Sequence, residues 1–162
     1  MKIRNGFVSN SSSSSFIVAF PRRPKSVKDV IKMVFGKAKF FKNPYVWQGR
    51  PDKFPVEDVA KIIWRDIEKQ IPNNKNRFIS RMGNLLDYND YVIKDKDTKY
   101  TEWDNDALDF DTRVMIEKFM SSNSDSYVYF LECSDNSGGA IGSAMEHGNL
   151  FKRLPHLVSS NH

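Results

Sequence analysis

The chain has 162 residues, 40% apolar and 13% aromatic, which suits one packed domain over 1–162 and is too little for two independent cores. It carries a net charge of +5 and one cysteine, Cys133, so an internal disulfide is excluded and the thiol reads as a small core residue. No apolar run is long enough for a membrane span and no leader pattern follows Met1, which predicts a cytoplasmic protein with no membrane partner.

Charge is unevenly distributed. Residues 22–53 hold ten Lys or Arg against two Asp, and residues 87–111 hold nine carboxylates against three lysines. A basic face attracts nucleic acid or another polyanion, whereas an acidic one mimics it or docks on a basic partner.

Near the start, serines 11 to 15 precede the apolar run FIVAF at 16–20, which is too short for a helix, is stopped by Pro21 and reads as a buried strand. Serines placed there make a polar turn or present hydroxyls and amides to an anion. Ser26 then caps a helix over 26–36, with Val27, Val30, Ile31, Val34 and Phe35 at helical spacing and Gly36 as its stop.

Arg22 and Arg23 stand before that helix, and Lys37, Lys39, Lys42 and Arg50 follow it, interleaved with Phe40, Phe41, Tyr45 and Trp47. Cations among aromatics suit single-stranded nucleic acid, because phosphates pair with the cations and bases stack on the rings. The alternative is a loop with its aromatics anchored in the core and its lysines solvated.

An amphipathic helix over 55–71 follows, with Val56, Val59, Ile62, Ile63, Ile67 and Ile71 as its apolar stripe. A second is expected over 76–88, where Arg77 and Arg81 are read as solvated surface first and as contacts for a phosphate at its start second. A third, over 109–121, uses the carboxylates before it as a helix start. The spacing of Asp104, Asp106, Asp109 and Asp111 is like that of a calcium loop but lacks the glycine and closing glutamate.

The apolar run at 127–132 is the second central strand. Paired antiparallel to 16–20, it places the serine run and the turn 134–142 at one end of the sheet. The fold class is therefore α+β, a small and mostly antiparallel sheet covered by about four helices.

All three histidines lie in the C-terminal tail. Asp135, His147, His156 and His162, with Glu146, are a candidate ligand set for a divalent transition metal, since imidazole and carboxylate suit zinc, manganese or iron. Glu146 and His147 are also candidates for metal-free acid–base catalysis on a phosphate held by Gly138, Gly139 and Gly142. The third reading is structural, with Asp135 and Asn136 in a turn and the tail tying down the sheet.

The segment R-N-G-F-V-S-N-S-S-S-S-S-F, Arg4 to Phe16, resembles the start of a group of uncharacterised proteins of T4-like tailed phages and some bacteria. The tail is similar as well, through Ser134-Asp135-Asn136, Glu146-His147-Gly148, Phe151, Leu154-Pro155-His156, Ser159 and His162. Here the chain ends Ser-Asn-His where that group has paired histidines. The resemblance implies a small accessory protein made early in phage infection and acting in the host cytoplasm. With the basic-aromatic segment it leads to one expectation, a host-takeover protein that binds nucleic acid or the host transcription machinery. The other is a small metal-dependent hydrolase or transferase with its site in the tail.

Overall fold

A computed structural model describes residues 13–44, 51–88 and 105–161. At its centre is β1, Ser13–Phe20, with β4, Tyr127–Ser134, on one side and β5, His156–Asn161, on the other, all antiparallel. A central strand covered on both faces must be apolar at every position, which is why 16–20 shows no alternation. Phe16, Val18 and Phe20 enter one core with Tyr129, Leu131 and Cys133, while Ile17 and Ala19 enter a second core with Val128 and Phe130.

Helices cover both faces. On the first lie α1, Val27–Val30, with the π-helical turn Ile31–Phe35 that continues it, then α2, Val56–Ile67, and α5, Asp135–His147. On the second lie α3, Lys75–Tyr88, and α4, Asn105–Ser122, which contribute Phe78 and Ile116 to the second core. The architecture is α+β, three layers around a three-stranded antiparallel sheet; the expected antiparallel pairing of 16–20 with 127–132 holds, but only the first is central and the second is an edge strand. Among the described residues no helix is long and apolar enough to cross a membrane.

Several local expectations are corrected. The helix expected over 26–36 changes type halfway: the Gly36 N–H bonds to the Ile31 carbonyl, a five-residue step, and the wider turn buries both Val34 and Phe35. Helix α2 ends at Ile67 rather than 71, leaving Ile71 73% exposed. The chain leaves the helix there because Gln70 and Asn73 are needed elsewhere. The Gln70 amide bonds both backbone groups of Phe130, and Asn73 accepts from the Val128 N–H with its side chain and donates to the Val128 carbonyl with its backbone. Together they seal that stretch of the outer edge of β4.

The polar turn expected from the serine run is part of the sheet: Ser13, Ser14 and Ser15 are strand residues, the last two fully buried. The aromatic loop contains a two-stranded ribbon, β2, Phe40–Lys42, against β3, Lys53–Pro55. The glycine turn at 134–142 is helical, and opens α5 with a break at Gly139. The side chains compared with a calcium loop lie outside the described residues.

Candidate functional site

The ribbon β2–β3 builds the first candidate face. Strand alternation sends Phe41 and Phe54 inward and Phe40, Lys42, Lys53 and Pro55 outward. Phe41 is fixed edge-on to Phe35, 6.0 Å between centroids, and rests on Gly148, where a Cβ would come within 2.5 Å of the Phe41 ring. Only glycine leaves room for this contact, so the end of α5 positions the ribbon. Buried Asn43 closes its far end, its N–H donating to the Asp52 carbonyl at 2.8 Å and its side-chain amide to the Pro51 carbonyl at 3.0 Å. The Lys39 carbonyl accepts the first N–H of α2 at 3.1 Å, which joins the ribbon to that helix.

The outward face is a cationic surface with one exposed ring. Phe40 is 52% exposed, and the Lys53 ammonium sits 4.8 Å from its centroid. Lys37, Lys39 and Lys42 are all exposed around it. The Arg153 guanidinium lies against Gly36, 2.9 Å from where a Cβ would stand, which brings a cation from the β5 side to the end of the π-helical turn. Arg153 escapes sequence reading because it is more than a hundred residues from the basic segment. The outward placement of Phe40 has no local signal, because in Lys39-Phe40-Phe41-Lys42 the two strand faces each hold one Lys and one Phe.

Other cations singled out in the sequence make contacts within the fold. Arg22 is bound to Asp29 at 2.6 Å, and Asp29 also accepts from the Lys25 N–H at 2.9 Å. Those contacts, the Arg22 hydrogen bond first, lower the Asp29 carboxyl to about 2 and clamp the start of α1. Arg23 reaches the Tyr129 hydroxyl, whose pKa burial raises and Arg23 opposes. Arg81 lies over the Phe130 ring at 5.0 Å, and Arg77 donates its backbone N–H to Asn74 at the start of α3. Trp47 and Arg50 lie outside the described residues.

The tail forms the second candidate. Glu146 and His147 end α5, just past Ala144 and Met145, which pack in the first core; Glu146 is buried and His147 part-buried. Gly142 permits that packing, since a Cβ there would stand 2.5 Å from the Ser134 carbonyl oxygen. The Glu146 side chain is wholly buried, and among the described residues neither carboxylate oxygen has a hydrogen-bond partner; His147 Nε2 is 3.5 Å from one of them. Beneath lies Cys133, pushed up to about 12 by burial first and then by the negative charges of Asp66, Glu146 and Glu132. A thiol so held stays protonated at neutral pH and is no thiolate nucleophile, as its reading as a core residue requires.

His156 is built into the fold. Its Nδ1 donates to the Leu154 carbonyl at 2.9 Å, and its ring lies 6.4 Å from that of Phe16 and 6.2 Å from that of Phe151. The Asp135 side chain and His162 lie outside the described residues. Among the described residues no group of three or more His, Cys, Asp or Glu is placed to hold a metal ion. A third feature is a cavity of about 340 Å³ between α3 and α4, lined by Lys75, Asn76, Ile79, Ser80, Arg113 and Glu117 and crossed by a Lys75–Glu117 ion pair of 2.9 Å.

No family model, curated protein or solved structure matches the chain.

Proposed function

We propose that the protein binds single-stranded nucleic acid through the outer face of the β2–β3 ribbon. The observation that carries this reading is Phe40, an exposed ring on a strand among Lys37, Lys39, Lys42 and Lys53. A base stacks on such a ring while its phosphates meet the ammonium groups. The binding does not depend on metal, and the setting we propose, suggested by the resemblance of the termini, is that of an early accessory protein of phage infection directed at nucleic acid or the host transcription machinery.

The test is fluorescence anisotropy of a labelled oligonucleotide as salt is raised. If the four lysines each neutralise one phosphate, the logarithm of affinity falls with that of salt at a slope of about −3, or about 50-fold between 50 and 200 mM salt. Charge reversal at Lys37, Lys39 and Lys42 removes most of that slope, and Phe40→Ala weakens binding about 5- to 100-fold at every salt concentration. Unchanged affinity in both variants refutes the reading.

A second reading, a small metal-dependent hydrolase or transferase with its site in the tail, draws on the buried Glu146 carboxylate beside His147. A buried carboxylate with no hydrogen-bond partner among the described residues, and only an imidazole beside it, is suited to a ligand cation or to proton transfer. Elemental analysis of the purified chain and of a His147→Ala, His156→Ala double variant decides it: stoichiometric metal in the first alone supports this reading, and none in either refutes its metal.

A further inference from the structure

The two edges of the central sheet are treated differently. On β4, the outward N–H and carbonyl groups of Val128 and Phe130 are all taken by Asn73 and Gln70. No further strand can pair there. β5, at the other edge, is hydrogen-bonded to β1 alone among the described strands.

The bonding phase of β5 follows from one contact. Ala19 donates its N–H to the Pro155 carbonyl at 2.9 Å, and the register continues as Ile17 opposite Leu157 and Ser15 opposite Ser159. Bonded pairs alternate in an antiparallel ladder, so Leu157 and Ser159 bond to β1, while the backbone groups of His156, Val158 and Ser160 point away from it. The ladder is unbroken from His156 to Asn161, with no bulge to bend it. The sequence HLVSSN holds no lysine, proline or carboxylate, the usual guards of an edge. Val158, at its middle, is 52% exposed.

We propose that the occupant of this edge is a second copy of the chain, the two β5 strands pairing antiparallel about a twofold axis at Val158. This strand is self-complementary in that arrangement: Val158 faces Val158, His156 faces Ser160, and each pair exchanges two hydrogen bonds between groups that already point outward. Charge favours the same site. Two chains of net charge +5 repel, and an edge strand without charged side chains is where they meet at least cost. The product is one continuous six-stranded sheet, in the order β4-β1-β5 and its reverse.

An edge pairing of this length is a small interface, so dissociation in the micromolar range is expected, and light scattering behind size exclusion should span about 5 to 200 µM. The expected mass rises toward twice the 18.8 kDa of one chain as concentration increases. Val158→Pro deletes an N–H that bonds nothing in β1, a substitution edge strands accept, and should hold the chain at one copy; Val158→Thr keeps the N–H and should still associate. A single-copy mass for the native chain at every concentration overturns the proposal and leaves the edge to a foreign strand. Equal association by native chain and proline variant also overturns it. Should the proline variant not fold, amide exchange of the native chain decides. Exchange at Val158 must slow with concentration while that at Leu157 does not change, and equal rates at Val158 refute the pairing.

Discussion

Replacing Glu146 by methionine should stabilise the protein. The side chain is wholly buried beside Cys133, and among the described residues neither carboxylate oxygen has a hydrogen-bond partner, with only the His147 imidazole near it at 3.5 Å. Leaving a buried polar group unbonded costs about 1–3 kcal/mol, and more when it is charged. Met is similar in length, unbranched and able to fill an irregular site, so Glu146→Met removes that cost while keeping most of the packing around Ala144 and Met145. The expected gain is about 1–3 kcal/mol, and in a chain of this size each kcal/mol raises Tm by about 2–4 °C. Glu146→Gln keeps an unbonded polar group and should gain less, which gives the order Met, then Gln, then Glu. Urea denaturation monitored by tryptophan fluorescence gives the three midpoints, read at constant m so that the shift reports stability. A Met variant less stable than native by more than about 1 kcal/mol would refute the reasoning, because the carboxylate would then have a stabilising partner, such as a bound cation.

Two further outcomes follow from the same packing. The Cys133 thiol has its pKa raised from 9.0 to about 12 in the folded chain, so above pH 9 the folded state holds a proton that the unfolded state releases. Its contribution to stability is complete below pH 9 and is lost as pH rises toward 12, at up to about 1.4 kcal/mol per pH unit; Cys133→Ala should flatten that part of a stability–pH profile, and an unchanged slope refutes the assignment. Gln70→Ala orphans the N–H and carbonyl of Phe130 and should cost about 1–3 kcal/mol by urea denaturation, with faster amide exchange at Phe130; no loss would mean that water replaces the side chain.

The long-period signals were legible. Val56, Val59, Ile63 and Ile67 mark α2 because a helix with one buried face repeats its apolar residues every three or four positions. The serine run and the turn after β4 meet as antiparallel pairing requires, Ser13 opposite Ser134. Local pattern was misleading where a neighbour decides. The segment from Ser134 to Gly142 reads as a turn from its glycines, yet Gly142 is where the chain must pass the Ser134 carbonyl without a Cβ, and the segment is helical. In the basic segment Lys37, Lys39, Lys42 and Phe40 are all exposed, while Arg22 is paired with Asp29 and Arg23 reaches Tyr129, contacts that no local pattern signals.

The sequence by itself determined the α+β class, the two buried strands and the amphipathic helices, because each rests on a periodicity of covalent neighbours that burial imposes along one element. It also determined the chemistry present, a basic segment rich in aromatics and a tail holding every histidine. Only the tertiary structure decided which of those groups are used up. The strand order β4-β1-β5, the sealing of one edge by Gln70 and Asn73, the burial of Glu146 and the arrival of Arg153 beside Gly36 all depend on contacts between distant residues. Such contacts leave no period in the chain, since they are set by how the layers pack once the elements exist.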